Sequence, residues 1–195
     1  MNWLAHIFLS APTIESQLGN LLGDLVKSGD LYQLDPLVRD GVNRHYAIDK
    51  FTDSHIIFKN SKRRINQEYS RFAGILIDVF YDHFLAKNWQ LYSGSIFSNF
   101  VMEVYNSFQS YQGNIPEYAR QIIQQMIYED WLTSYQSFDG VENALRRIDA
   151  RIKSRRGNQI SLVNAVKILE QEYFNIEQDF GSFFPELQRH MQNYR

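Results

Sequence analysis

Apolar residues recur along this chain in steps of three and four. Phe97, Val101, Val104, Phe108 and Tyr111 make one such series; Leu162, Val166, Leu169, Tyr173, Ile176 and Phe180 make another. That spacing lays an apolar stripe along one face of a helix, to be buried in a core. Comparable patterning predicts helices over about 2–9, 14–28, 36–58, 60–71, 74–90, 95–111, 116–130, 138–154 and 161–180. Start signals agree: Asp35-Pro36 sets proline at a first helical position, and Ser95 and Ser161 can cap. The 4 Pro and 10 Gly are too few for a strand-rich fold with many turns. With no internal repeat, low-complexity tract or linker, the expectation is all-α: a single compact multi-helix domain over 1–195.

Composition narrows the setting. At 195 residues, 44% hydrophobic and 15% aromatic, the chain can fill one sizeable core. The absence of cysteine excludes disulfides, cysteine nucleophiles and thiolate metal sites, and suits a reducing compartment. No apolar run approaches the roughly 20 residues that cross a bilayer. The start, Met1-Asn2-Trp3-Leu4-Ala5-His6, lacks a basic region ahead of an apolar stretch. A cytoplasmic protein with no membrane association is expected. The net charge of -2 makes nucleic acid an unlikely partner.

Two segments put acids and imidazoles where a core should be. In Gly74–Trp89, Asp78 and Asp82 stand four residues apart on one helical face, among Ile75, Leu85 and Trp89; Leu76, Phe80 and Phe84 occupy the opposite face. A helix apolar all round is normally buried, and an unpaired buried carboxylate costs several kcal/mol. A bound cation would resolve this; so would an arginine partner, or capping of a neighbouring helix. In Asn43–His55, His45 and Asp49 are likewise four apart, with Thr52 and Asp53 on nearly the same face. Imidazole and carboxylate at that spacing can share one divalent ion. Asp24, near Gln17 and Asn20, reads by composition as a surface acid, and His6 as a packing residue. His55 and His190 show no partner. There is no GxxxxGK[ST] loop and no G-x-S-x-G elbow. The residues alone therefore point to a helical metallohydrolase, plausibly acting on a phosphoester.

The chain resembles the acyl carrier protein phosphodiesterase family, distant relatives of the HD-type metal-dependent phosphohydrolases. The resemblance rests on Met1–His6, Gly19–Asp24, His45 with Ile48-Asp49 and Thr52-Asp53, Asp78-Val79 with Asp82–Leu85 and Trp89, and Phe183 or Phe184 before Pro185. It implies an HD-like helical arrangement and a hydrolase supported by Mn or Mg. That enzyme releases 4'-phosphopantetheine from holo-acyl carrier protein. A phosphohydrolase acting on a nucleotide or other small phosphoester is the alternative. Within this resemblance, Asp24, His45, Asp82 and His83 are expected to hold the metal, and His6, Asp49 and Asp78 to serve catalysis. Tyr46-Ala47 and Asn43 depart from the basic residues and the further histidine expected there, and Asp82-His83 reverses the usual His-Asp order.

An acyl carrier protein is acidic. Arg146–Arg156 carries six positive charges and one negative, and complementary charge steers association. With Val141, Leu145, Ile148 and Ile152 as this helix's buried stripe, Arg147 and Arg151 are expected to face outwards and dock the partner. Lys62, Arg63, Arg64 and Arg71 form a second, looser basic group.

Overall fold

The computed structural model describes residues 1–156 and 161–194, without the side chains of 154–156. Its α-helices are α1 (Trp3–Phe8), α2 (Ile14–Leu22), α3 (Pro36–Ser54), α4 (Ile56–Arg63), α5 (Ala73–Lys87), α6 (Phe97–Ser110), α7 (Glu117–Tyr128), α8 (Trp131–Ser134), α9 (Phe138–Arg156), α10 (Val166–Gln171) and α11 (Tyr173–Gln192). No strand occurs among the described residues, and none of their helices is long and apolar enough to cross a membrane.

Helix α5 is the centre. Leu76, Ile77, Val79, Phe80, Tyr81, Phe84 and Leu85 are all fully buried, and α1, α4, α9 and α11 pack around them. Its lack of a polar face is what makes it central. Tyr81 meets Phe58 and Phe180 edge-on and Phe183 at a tilt, at centroid distances of 5.9, 5.2 and 5.5 Å. Its hydroxyl meets Ser61 Oγ at 2.8 Å; Ser61 donates to Asp179, as does Arg64 Nε at 2.9 Å. The aromatic core thus ends in a satisfied polar chain rather than an orphaned hydroxyl.

Helices α2 and α3 meet backbone to backbone. A β-carbon on Gly19 would stand 2.0 Å from the Val38 carbonyl oxygen, and one on Gly41 2.7 Å from that of Ser16. Only glycine permits this approach. It presses the end of α2, with Asn20, Gly23 and Asp24, against His45 of α3.

The expected elements are present with altered ends. The stretch 36–58 divides at His55, whose extended backbone (φ -72, ψ 136) closes α3 and whose Nδ1 accepts the Ile57 N–H to cap α4. The apolar stripe runs on through this break, so periodicity does not reveal it. The second half of 60–71 is 3-10 helix over Gln67–Phe72, and 14–28 stops at Leu22. The stretch 161–180 becomes a 3-10 turn, α10 and α11, and α11 continues through Pro185. The short α8, capped by Asp130, has no counterpart among the expected elements.

Candidate active site

Asn20 organises the site from both its side chain and its backbone. Its amide nitrogen donates to Ser10 Oγ at 2.9 Å, which turns the amide oxygen towards His6 Nδ1, also at 2.9 Å. Its backbone carbonyl accepts from His45 Nδ1 at 2.8 Å. Both imidazoles thereby hold a proton on Nδ1 and aim Nε2 at Asp49. His6 Nε2 lies 3.2 Å from Asp49 Oδ1 and 3.1 Å from the Met1 carbonyl oxygen, and His45 Nε2 lies 3.1 Å from Asp49 Oδ2. The two rings stack at 3.9 Å. An imidazole lone pair does not face a carboxylate oxygen unless a proton or a cation lies between them. The donor atoms of His6, His45 and Asp49 all fall within 4.8 Å of one another, and imidazole with carboxylate suits a divalent ion such as Mn, Fe, Zn or Mg. Gly23 makes room for this arrangement: a β-carbon there would stand 2.3 Å from the His45 ring.

Further charges surround the trio. Asp24 Oδ1 is 3.8 Å from His45 Nε2, and its Oδ2 accepts the Trp3 indole N–H at 3.0 Å. The Met1 amino group lies 2.9 Å from Asp78 and 3.4 Å from Asp49. Burial disfavours that ammonium, yet Asp78 and Asp49 push its pKa up to about 11. Burial also works to raise the Asp49 pKa, but hydrogen bonds from His45 and His6 and the Met1 charge hold it well below the carboxylate range. For His45, burial is outweighed by Asp49 and Asp24, and its pKa rises; for His6 burial prevails and its pKa falls. Burial raises the Asp78 carboxyl. Beside the trio lies a cavity of about 380 Å³ whose walls include Asp24 and Asp78 together with Arg71 and Arg151.

The structure brings some expected site residues together and separates others. Of the expected ligands, Asp24 and His45 are neighbours; Asp82 and His83 do not join them. Asp82 is fully buried and accepts the backbone N–H groups of Leu4 (2.8 Å) and Ala5 (3.1 Å), so it caps α1, where Asn2 supplies no side-chain cap. Burial pushes its pKa up to about 8, against the pull of those N–H groups. This contact is the capping alternative. His83, turned about 100° away on the same helix, donates from Nδ1 to the Tyr135 carbonyl at 2.7 Å and stacks on Phe138. His6 and Asp49, expected in catalytic roles, stand with His45, and Asp78 adjoins them through Met1.

Arg147 and Arg151 do not project from an outward face. Both are half-buried and line cavities, and the Arg147 guanidinium covers the Trp131 ring at 4.0 Å. The α9 stripe is rotated to match, with Val141 and Leu145 buried but Ile148 and Ile152 only half-buried. Arg146 pairs with Glu142 and Lys153 with Asp149, which reduces the helix's free charge. The side chains of Arg155 and Arg156 lie outside the described residues. His55 pairs with Glu186 and His190 stacks on Phe51, both structural contacts. Sequence reasoning missed Trp3, Asn20 and Gly23 as individual site residues. The last two sit inside the Gly19–Asp24 segment that carries the resemblance, but they bear no charge to draw attention.

A family model described as acyl carrier protein phosphodiesterase matches residues 1–187, which include every site residue just described. The chain belongs to this family. Among its relatives, the acyl carrier protein phosphodiesterase of Yersinia pestis is 28% identical over 194 residues, covering 99% of this chain and 98% of that protein. Those of Serratia proteamaculans (strain 568) and Escherichia coli O157:H7 are each 29% identical over 188 residues, covering 96% of this chain and 95% of the relative. No solved structure matches. The match to phosphodiesterases of this name runs through both halves of the site, α1 with His6 and α3 with His45 and Asp49.

Proposed function

We propose that this protein hydrolyses the phosphodiester of holo-acyl carrier protein, releasing 4'-phosphopantetheine and the apo-protein. The observation that carries the reading is the convergence of two imidazole Nε2 atoms on one carboxylate, beside a cavity holding both acids and arginines. His6, His45 and Asp49 would hold a divalent ion, Mn or Mg by family resemblance, with Asp24 beside them. Such an ion supplies charge for a phosphoryl oxygen and acidifies water.

The chain's own groups account for the rest. Arg71 and Arg151 line the cavity and offset the charge of the phosphodiester. Asp78, its pKa raised by burial, accepts a proton from the attacking water. The bond between phosphorus and the carrier's serine oxygen breaks, and the proton taken up by Asp78 passes to that oxygen, so that the serine hydroxyl is restored and Asp78 is returned to its starting form. Asn20 fixes the tautomer of both histidines, so their Nε2 atoms stay directed at the reaction centre.

The acidic carrier approaches over Lys59, Lys62, Arg63 and Arg71. These line an open hollow of about 460 Å³ that shares Arg71 with the polar cavity. This face, rather than Arg147 and Arg151, is the docking surface, since those two are half-buried on cavity walls.

The test is incubation with holo-acyl carrier protein and Mn, followed by mass spectrometry of the carrier. Loss of the phosphopantetheine mass, abolished by chelator and by His45→Ala, supports the reading. An intact holo-carrier under these conditions rejects it.

A further inference from the structure

A second cavity, of about 270 Å³, adjoins the polar one and shares Asn2, Ile148 and Arg151 with it. Its character is different. Trp3, Ile122, Trp131 and Ala144 make most of its wall apolar, and Asn2, Gln125, Tyr135 and the guanidinium groups of Arg147 and Arg151 set polar groups along it. No step of the reaction above uses it.

We propose that this cavity is the subsite for the distal, thiol-bearing end of the phosphopantetheine arm. The proposal rests on the phosphodiesterase reading, since the arm reaches the cavity only when its phosphate lies in the polar one. Three features argue for it. The cavities adjoin along a shared border of Asn2, Ile148 and Arg151, so a chain held by its phosphate in one lies next to the other. Trp3 joins them physically: its indole N–H is bonded to Asp24 on the polar side, and its ring stacks on Trp131 at 5.5 Å on the apolar side. The polar groups also suit an arm made of amides linked by short apolar segments. The Asn2 amide nitrogen donates to Tyr135 Oη at 2.6 Å, which leaves its carbonyl oxygen to accept an amide N–H. Apolar pockets with a few placed polar groups are the usual form of a small-molecule site. Binding energy gathered there, away from the reacting phosphorus, distinguishes an arm-bearing diester from any other.

The experiment uses pantetheine, the arm without its phosphate, and two variants that fill the cavity: Ile122→Trp at a half-buried position and Gln125→Trp at an exposed one. The second keeps the test valid if the first fails to fold. In wild type, pantetheine should inhibit competitively against holo-acyl carrier protein, and should shift the indole N–H resonances of Trp3 and Trp131 in metal-free protein. In each folded variant, the pantetheine inhibition constant should rise at least about tenfold. The preference in kcat/KM for holo-carrier over bis(p-nitrophenyl) phosphate should fall by a similar factor. If wild type releases phosphopantetheine but its indole resonances ignore pantetheine, or the folded variants keep the wild-type preference and inhibition, the subsite is wrong and the phosphodiesterase reading stands. If wild type leaves holo-carrier intact, the reading itself fails and the subsite falls with it.

Discussion

Trp3 donates its indole N–H to Asp24 at 3.0 Å while the same ring lies on Trp131 at 5.5 Å. One side chain thus restrains an acid of the polar cavity and walls the apolar one. Trp3→Phe keeps the stacking surface and deletes the hydrogen bond. Removing the partner that orients a group beside a metal costs about 10- to 100-fold in metal affinity or activity, and a loss of that size in kcat/KM is expected here. Wild-type kcat/KM in the folded Phe variant would show that Asp24 needs no such restraint.

Gly23→Ala separates backbone effects from site effects. The backbone at Gly23 is ordinary right-handed helix (φ -53, ψ -35), where alanine normally stabilises by about 0.4–1 kcal/mol. The new methyl, however, would occupy the place of the His45 ring. The ring must move, and its bond to the Asn20 carbonyl goes with it. We expect a folded protein by circular dichroism whose Mn affinity, by calorimetric titration, is at least about tenfold weaker. Unchanged affinity would mean that His45 is not held where the ion binds.

Asp82 provides a contrast between cap and ligand. Asp82→Asn can still accept one of the two backbone N–H groups, and leaves the other buried without a partner. The cost should be about 1–3 kcal/mol in urea denaturation, with Asp82→Ala costing more. Mn affinity of the folded Asn variant should stay within a few-fold of wild type. Abolished binding in a protein of undiminished stability would instead make Asp82 a ligand.

With an ion at the proposed site, protons and metal would compete for His45. Asp49 and Asp24, outweighing burial, raise its pKa above the ordinary 6.5. In the metal-free protein the imidazolium therefore contributes stability that is fully present below that value and is lost as pH rises through the raised pKa. An ion at the proposed site would take the place of the Nε2 proton, so Mn affinity should increase with pH over the same window. Calorimetric titrations at several pH values, in buffers of different ionisation enthalpy, should show proton release. Affinity independent of pH would exclude His45 as a ligand.

Charge reversal tells docking from substrate contact. Lys59→Glu with Lys62→Glu should raise KM for holo-carrier protein severalfold and invert its dependence on salt, with kcat little changed. Arg147→Glu with Arg151→Glu should lower kcat as well, because these side chains line the cavities. If only the Arg pair alters the salt dependence, the docking face lies on α9 after all.

The all-helical fold was legible because apolar periodicity is a local signal repeated along the chain. Helix breaks such as His55 were not, since the stripe continues across them and the cap depends on one side-chain bond. His45 with Asp49 was visible as a pair on one helix. Their meeting with His6 was not, because it depends on the contact of α2 with α3, made at Gly19 and Gly41 far apart in sequence. Asp82 was correctly marked as an acid inside the core, whereas Asp78 stands half-buried on the wall of the polar cavity. Spacing alone could not say that one faces an ammonium and the other a helix end.

Helix α1 has six residues, too few to persist in water without tertiary support. It carries His6, and two of its free N–H groups, those of Leu4 and Ala5, are satisfied by a carboxylate in the middle of α5. In the folded protein the position of His6 thus depends on an enclosed α5 and a desolvated Asp82. Metal uptake should then lag behind helix formation in refolding and coincide with the final consolidation of the core. An early collapsed state, however helical, would be blind to Mn, and the chain would become an enzyme only at the last step of its folding.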